Sequence, residues 1–383
     1  MIPGLEFHPH PLPPQAQAMR GKVRAFLAAQ IKSGGFVPVS NAWAIPDAKF
    51  SRACGEAGFL AMTWPKHFGG HERSAFERYV MTEEMLAAGA PCAFHWVADR
   101  QSGPQILRNG SERARKQILP EIAAGRCCFG IGMSEPDTGS DLASVRTKAE
   151  KVDGGWKITG RKVWTSNAHV ADYLILLARS APQTDKRHEG LTEFIVKVKD
   201  KAVSVRPIHN IAGAHEFNEV TFDGAFVADD FVVGEVGKGW NMVTSELAFE
   251  RSGPDRFLSA FPLLALTVGE PAVKGDARAE VEIGRLIAEV ASLRRMSMSI
   301  AGMLEAGENP NQQAAMVKDL GTTLEQRIPE VARLIAPSPP RPGGGSAYAH
   351  DLAHTMLHAP SFSLRGGTRE ILRGIIARGM GLR

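Results

Sequence analysis

The chain has 383 residues, of which 44% are hydrophobic and 22% are charged, and its formal net charge is +4. This length and hydrophobic content are enough for two or three packed units. The modest charge and the lack of Lys/Arg-rich blocks interleaved with aromatic residues argue against nucleic-acid binding. No uncharged stretch reaches membrane-spanning length, so we also expect no membrane partner.

The first third of the chain is predicted to be mostly helical. Apolar residues recur at helical spacing in residues 15–33, 50–62, 76–88 and 106–122. Pro and Gly residues separate these four stretches, which marks them as distinct helices.

Near Cys127 the pattern changes to short β-strands. The candidate strands alternate or are rich in β-forming residues, and they are 145–152, 156–159, 173–178, 194–198 and 219–222. Asp153-Gly154-Gly155 reads as a turn between the first two. Short strands separated by Gly and Asp turns predict a small antiparallel barrel or sandwich rather than βαβ units.

Helical periodicity returns at Gly237 and continues to the C-terminus. The Pro- and Gly-rich stretch 336–346 interrupts it and cannot be regular helix, so we expect an exposed loop there.

The cysteines and the N-terminus predict a cytoplasmic protein. Cys54, Cys92, Cys127 and Cys128 show no metal-ligand spacing, so we expect no metal site. Few, unpaired cysteines are typical of a reducing compartment. The first residues lack the basic and apolar segments of a secretory signal.

Two motifs carry the strongest chemical signal. The first, Met133-Ser134-Glu135-Pro136-Asp137-Thr138-Gly139-Ser140-Asp141, combines turn formers with small hydroxyl residues. The second, Gly160-Arg161-Lys162-Val163-Trp164-Thr165-Ser166-Asn167, sets an indole beside hydroxyls. An indole wall with directional hydrogen-bond donors suits a planar redox ring. On spacing alone, a plain surface loop is an equally good interpretation of the first motif.

Together the two motifs resemble the flavin-binding middle domain of the acyl-CoA dehydrogenase family, and the resemblance runs over nearly the whole chain. It includes the segments 63–70, 82–84 and 103–112. It implies an α+β multidomain fold. The implied parts are an N-terminal helical domain (1–124), a middle small antiparallel β-barrel domain (125–235) and a C-terminal helical bundle (236–383).

The resemblance offers two places for the catalytic base. In the branch similar to medium- and short-chain enzymes, a carboxylate directly precedes a Gly-Thr pair, but this chain has Gly366 before Gly367-Thr368. In the branch similar to isovaleryl- and long-chain-type enzymes, a Glu on an earlier helix precedes an Arg, and Glu250-Arg251 matches. The resemblance therefore implies Glu250 as the base and Arg251 as a substrate-binding residue. By helical spacing alone, Glu250 reads as a surface carboxylate.

The resemblance also implies FAD as cofactor. The implied FAD contacts in the first motif and the strand before it are Ile131, Met133, Ser134, Gly139 and Ser140. Trp164 would stack beside the flavin ring, and Ser166 would donate a hydrogen bond toward it. Near the C-terminus, the resemblance implies that Thr368 and Glu370 bind the cofactor and that Gly367 binds the substrate. Ser140 of the first motif could contact the CoA moiety instead of the FAD. Without a ligand, Thr368 and Glu370 also fit a helix N-cap and first turn.

Two family segments that bind the adenine half of FAD across subunits are absent. Residues 269–278 lack the Arg-x-x-Phe-Gly pattern, and a Pro/Gly loop occupies the Gln-x-x-Gly-Gly position. The resemblance implies a tetramer, either a homo- or a hetero-oligomer, and the absent segments predict that the chain alone holds FAD weakly. Arg285 or Arg294 could instead have taken over the missing contacts.

The predicted reaction is dehydrogenation of an acyl-CoA to the trans-2-enoyl-CoA, with an electron-transfer flavoprotein-like acceptor, as in fatty acid metabolism. Two alternatives remain open at this point. One is a half-site or non-catalytic subunit of a hetero-oligomer, and the other is an acyl-CoA oxidase on the same scaffold.

Overall fold

The computed structural model describes residues 5–243 and 253–382. The chain forms two compact units. The helical unit comprises Met1–Trp43, Arg73–Pro91 and Ala248–Arg383, and the sheet unit comprises Ala44–Glu72 and Cys92–Leu247. Along the chain, helices are followed by a β-sheet region and then by helices, which confirms the predicted order.

The helices are numbered here in chain order. Those with both ends among the described residues are α1 (Pro14–Lys32), α2 (Ala48–Glu56), α3 (Ala75–Ala87), α4 (Ala93–Val97), α5 (Gly103–Asn109), α6 (Glu112–Ala123), α7 (Phe261–Gly269), α8 (Ala277–Glu305), α9 (Asn311–Ile335), α10 (Ala347–Phe362) and α11 (Arg369–Gly379).

Two predicted helices are shorter than their apolar patterns. Helix α2 ends at Glu56 because Gly58 takes a left-handed turn with φ +71°, so the prediction of helix to residue 62 is wrong. The stretch 106–122 is split into α5 and α6 at Gly110. Ser111 begins α6, and its hydroxyl accepts a hydrogen bond from the Ala114 N–H at 3.0 Å. Local capping chemistry overrides the apolar period at both places.

Within the helical unit, α9 packs against α8, α10 and α11. Helix α9 ends at Ile335, and α10 begins after Ser346, whose hydroxyl accepts from the Ala349 N–H at 3.1 Å. The predicted break at 336–346 is therefore confirmed.

The sheet unit contains a mixed sheet in the order β6-β7-β3-β2-β4-β5-β8, with β1 beside β4. The strands are β1 (Phe129–Gly132), β2 (Lys148–Val152), β3 (Gly155–Lys162), β4 (Tyr173–Arg179), β5 (Leu191–Lys197), β6 (Val203–His209), β7 (His215–Ala228) and β8 (Val232–Val233).

Most neighbouring strands are antiparallel, as predicted, and the turn at Asp153-Gly154 joins β2 to β3. In contrast, β1 and β2 run parallel to β4, which the alternation pattern did not indicate. Residues 174–178 of β4 are fully buried, so this strand is covered on both faces. Strand β1 lies beside it and leads directly into the first motif.

In the part of the chain that the structure describes, no helix has the length and apolar content needed to cross a membrane.

Candidate functional site

The first motif forms a tight loop directly after β1. Glu135 and Thr138 exchange backbone hydrogen bonds of 2.8 and 3.1 Å, which close a turn over Pro136 and Asp137. Glu135 is buried in this turn, whereas Gly139 and Ser140 are exposed. The loop therefore points its small residues outward and keeps one carboxylate inside.

A buried ion pair joins this loop to the second motif. Lys162, the last residue of β3, is fully buried, and its Nζ lies 2.9 Å from Glu135 Oε1 and 3.0 Å from the Met133 carbonyl. The Val163 N–H also donates to the Ser134 carbonyl at 2.9 Å. The two sequence motifs are therefore neighbours in the fold, as the resemblance implied.

Glu135 also holds the chain that follows the first motif. Its two oxygens accept the N–H groups of Arg146 (2.7 Å) and Thr147 (2.8 Å). Burial alone would raise the pKa of Glu135, but the Lys162 charge and these hydrogen bonds lower it overall. Burial lowers the pKa of Lys162 to about 8, against the opposing effect of Glu135. The carboxylate is therefore ionised at neutral pH and faces a lysine that is mostly protonated.

The second motif presents an exposed indole on a strained backbone. Trp164 has φ +59°, a conformation that bulky residues rarely adopt, and 59% of its surface is exposed. Its ring meets Phe217 edge-on at 6.0 Å between centroids. Such strain costs of the order of 1–3 kcal/mol and concentrates at ligand-contacting positions. An exposed apolar ring held in this way is a suitable wall for a flat ligand.

Asn218 anchors the segment next to this indole. The buried Asn218 side chain donates to the Thr165 carbonyl at 3.0 Å, and its backbone carbonyl accepts from the Thr165 N–H at 3.0 Å. His215 Nε2 lies 2.7 Å from Asn218 Oδ1. The loop conformation is thus set by β7, on which Asn218 lies, as well as by β3.

The polar atoms around the two motifs fit the flavin implied by the resemblance. Among the described residues, three buried side-chain atoms here lack a hydrogen-bond partner, and they are Thr138 Oγ1, Thr165 Oγ1 and Asn167 Oδ1. A buried polar atom without a partner is costly, so polar groups of a ligand would stabilise such a site. Trp164 adds the apolar wall that an isoalloxazine ring needs.

The remaining predicted flavin contacts of the sheet unit lie on the same segments. Ile131 is in β1 and pairs with Ile175, and its side chain is half-buried. Met133, Ser134 and Ser166 are also half-buried. A Cβ built on Gly139 would meet no atom within 4 Å, so open space surrounds this glycine. Their individual roles remain predictions.

The C-terminal candidates lie in the helical unit, at the start of α11. Gly366 and Gly367 have φ +64° and +100°, and the Gly367 carbonyl accepts from Lys318 Nζ at 2.9 Å. Thr368 occupies the N-cap position, but its side chain caps no backbone N–H, which corrects the expected cap. Glu370 is exposed. Its own backbone N–H and the Thr368 hydroxyl lower the pKa of its carboxylate.

The two remaining candidates, Glu250 and Arg251, lie outside the described residues. Immediately after that gap, Pro254–Arg256 form a single 3₁₀ turn. The assignments of Glu250 as base and Arg251 as a substrate contact therefore remain predictions.

Arg285 and Arg294, the suggested substitutes for adenine-half contacts, are engaged within the helical unit. Arg294 forms a bidentate ion pair with the buried Glu83: its Nε donates to Oε1 at 2.6 Å and its Nη2 donates to Oε2 at 3.2 Å. Arg285 pairs with Glu282 on the surface of α8. Binding a pyrophosphate through Arg294 would require breaking an ion pair with a buried carboxylate, which is costly.

Comparisons with known proteins agree with this organisation. Family models of the acyl-CoA dehydrogenase N-terminal, middle and C-terminal domains match residues 13–126, 130–225 and 276–381. The chain is 32% identical over 351 residues to "Acyl-CoA dehydrogenase FadE34" of Mycobacterium tuberculosis, covering 88% of this chain but 47% of that protein. It is 32% identical over 335 residues to "Acyl-CoA dehydrogenase FadE29" of the same organism, covering 85% and 86%.

The chain thus spans about half the length of FadE34 and most of FadE29. The solved structure named "Tcur3481-Tcur3483 steroid ACAD" superposes with a TM-score of 0.85 at 27% identity, covering 97% of each chain. The three domain matches follow the helix–sheet–helix order described above. The chain therefore belongs to the acyl-CoA dehydrogenase family, whose members are FAD-dependent flavoproteins.

Proposed function

We propose that this protein removes hydrogen from Cα and Cβ of an acyl-CoA thioester to give the trans-2-enoyl-CoA, with Glu250 as the base. The observation that carries the proposal is the pair of motifs joined by Glu135 and Lys162. The strained, exposed Trp164 is followed directly by Thr165, whose buried hydroxyl lacks a partner among the described residues. In a member of this family, that arrangement is best explained as the site of the flavin ring.

The bound flavin would accept a hydride from Cβ of the substrate. The residues of this chain would bind and orient it. Trp164 forms the apolar wall, and the hydroxyls of Thr165 and Ser166 are available to donate to the polar edge of the ring. Ser134, Gly139 and Ser140 line the exposed loop, where Ser140 could also reach the CoA moiety.

Glu250 is proposed as the base because the alternative family position has no carboxylate. Gly366 carries no side chain, so proton abstraction from that position is impossible. A carboxylate with few neighbouring charges takes the acidic α-proton most effectively, since desolvation raises its pKa toward the working pH. Arg251 would bind the polar end of the substrate.

The substrate class that fits this arrangement is a branched, cyclic or otherwise bulky acyl-CoA. Gly366 leaves space beside the expected acyl pocket where many family members carry a larger side chain. One solved relative is named a steroid ACAD, which is compatible with a bulky substrate.

We further propose that the chain works in a hetero-oligomer with a related chain. Arg294 is committed to Glu83, and neither adenine-half motif is present. A non-identical partner could supply the missing cationic groups. Two solved structures of this fold are named as pairs of chains. Electrons would pass to a protein acceptor such as an electron-transfer flavoprotein, while transfer to oxygen would make the protein an oxidase.

The direct test is anaerobic incubation of the purified protein, alone and co-purified with a related chain, with a panel of acyl-CoAs. We expect enoyl-CoA by mass spectrometry, and a higher kcat/KM for cyclic or branched acyl-CoAs than for butyryl- or hexanoyl-CoA. No enoyl-CoA from any substrate by a flavin-loaded preparation would contradict the proposed reaction. A preference for the short straight chains would contradict only the substrate class.

A further inference from the structure

One face of α9 carries two buried charged side chains that have no role in the proposed function. Lys318, Gly321 and Glu325 are spaced by three and four residues, so they lie on one side of the helix. Lys318 and Glu325 are both fully buried. Fully buried charges are rare because desolvating them is costly, and they are retained where they hold specific partners.

Glu325 binds two separate segments. Its Oε1 accepts the Ser259 N–H at 2.7 Å, and its Oε2 lies 2.7 Å from Arg365 Nη2. Burial raises the pKa of the Glu325 carboxyl, and the Arg365 charge and the bonds from Ser259 oppose that rise. The carboxylate therefore links residue 259 to the residue directly before Gly366.

Arg365 completes this link. Its Nη2 also donates to the Asp255 carbonyl at 3.0 Å and to Ser259 Oγ at 2.8 Å. Its guanidinium lies over the rings of Trp43 and Phe362, at 4.8 and 4.7 Å from their centroids. The segment 255–259 and the glycine turn 366–367 are thus held together through one side chain.

Lys318 and Asp319 bind the end of the 366–367 glycine turn and the chain that follows it. Lys318 Nζ donates to the Gly367 carbonyl at 2.9 Å. Asp319 accepts from Arg369 at 2.8 Å and from Arg373 at 3.2 Å, which fixes the first turns of α11. The chain from residue 365 to 373 is therefore tied to α9 at four positions.

Gly321 lets the 255–259 segment lie directly on the backbone of α9. A Cβ at this position would lie 2.1 Å from the Arg256 carbonyl oxygen and 2.9 Å from its carbon. Both neighbours are backbone atoms, so the segment itself would have to move by about 1 Å to reach ordinary contact. The absence of a side chain at 321 is therefore a geometric requirement of this packing.

We propose that Lys318, Gly321 and Glu325 are positioning residues, which hold the Gly366–Thr368 turn and the Asp255–Ser259 segment in the geometry that turnover requires. The inference rests on the proposed function, together with the contacts of Gly367 with the acyl-CoA and of Thr368 with the flavin that the family resemblance implies. If these contacts served folding alone, disturbing them would lower stability and leave the turnover of the folded holoprotein unchanged.

The test is Gly321→Ala, with Gly284→Ala as a matched control. Gly284 is an exposed glycine of α8, and a Cβ there would meet nothing within 4 Å. Turnover is measured per bound FAD, so that loss of fold or cofactor does not count as loss of catalysis. We expect Gly321→Ala to lower kcat per bound FAD on the order of 10²-fold, as displacements near 1 Å can do. The control should stay within about twofold, because a surface helix position only gains helix propensity.

A second pair of variants decides the outcome if Gly321→Ala does not fold. Glu325→Gln keeps an acceptor for the Ser259 N–H but loses the charge that holds Arg365, and Glu330→Gln is an exposed control on the same helix. We expect kcat per bound FAD to fall at least about tenfold for Glu325→Gln and to stay unchanged for Glu330→Gln. If Gly321→Ala folds and keeps wild-type turnover per bound FAD, the inference is wrong. If Gly321→Ala does not fold, wild-type turnover per bound FAD in Glu325→Gln overturns the inference instead. An inactive wild-type holoprotein would instead refute the proposed function.

Discussion

Glu193 is expected to make the stability of this protein depend on pH. It lies on β5 and is fully buried, and one carboxyl oxygen accepts from Gln105 Nε2 at 2.7 Å. Among the described residues its other oxygen, Oε1, has no hydrogen-bond partner. Burial raises the pKa of Glu193 from 4.5 to about 7, with the Gln105 bond acting in the opposite direction.

The sign and the size of the effect follow from this pKa. As pH rises above 4.5, the unfolded chain loses the Glu193 proton while the folded protein keeps it until about pH 7. The free energy of unfolding therefore falls over this interval and levels off above it. One pKa unit corresponds to about 1.4 kcal/mol, so the total loss is about 3 kcal/mol at pH 8 and only about 1 kcal/mol at pH 5.

The substitution Glu193→Gln imitates the protonated acid and can still accept the Gln105 bond. We expect it to exceed the wild type in unfolding free energy by about 3 kcal/mol at pH 8 and by about 1 kcal/mol at pH 5. The assay is urea unfolding at several pH values with FAD at one fixed concentration. Glu150→Gln, an exposed position on β2, is the control and should stay within about 0.5 kcal/mol of wild type throughout. Equal differences at pH 5 and pH 8 would show that Glu193 does not keep its proton up to about pH 7 in the folded protein.

Two further predictions concern the cofactor. Lys162→Met leaves Glu135 buried without its counter-charge, so we expect about 3–5 kcal/mol of lost stability and weaker FAD binding by titration. The double variant Lys162→Met, Glu135→Gln should recover part of the lost stability and part of the lost FAD affinity. If the double variant is as unstable and binds FAD as weakly as Lys162→Met, the Lys162–Glu135 ion pair is not the link between the two motifs. Because the adenine-half motifs are absent, the chain expressed alone should hold less than one FAD per chain and gain FAD on co-expression with a related chain. A homotetramer saturated with one tightly bound FAD per chain would rule this out.

The sequence predicted the fold order because its local signals agree with the global structure. Helix α3 begins at Ser74, whose hydroxyl and the Glu77 side chain form a reciprocal capping box. The Pro/Gly break before α10 and the Asp153-Gly154 turn are equally local, and they occur where they were expected. The parallel pairing of β1 with β4 is not local, because it joins residues more than forty positions apart in the chain.

The motifs were identifiable from their residues, but the contacts that hold them were not. Lys162 and Glu135 are charged, and such residues are usually exposed, so composition gives no reason to bury them. The burial of Lys162 could have been predicted from the alternation of β3. Lys162 lies at an even spacing from Trp156 and Ile158, on the face of the strand that these residues bury. Lys318 and Glu325 likewise fall on the side of α9 that carries the buried Ile328 and Ala332. A charge within an apolar stripe is thus the pattern that would have revealed these positions.

The most direct test of Glu250 as the base is the anaerobic reduction of the flavin by acyl-CoA in Glu250→Gln, with Glu246→Gln as the matched control. Both variants replace one carboxylate by its amide, four residues apart in the chain. We predict that Glu250→Gln retains FAD but reduces it about 10²–10⁴-fold more slowly than wild type, because proton abstraction by the base is lost. Glu246→Gln should stay within a few-fold of wild type. Flavin reduction by Glu250→Gln at a rate close to that of the wild type would contradict the assignment of Glu250 as the base.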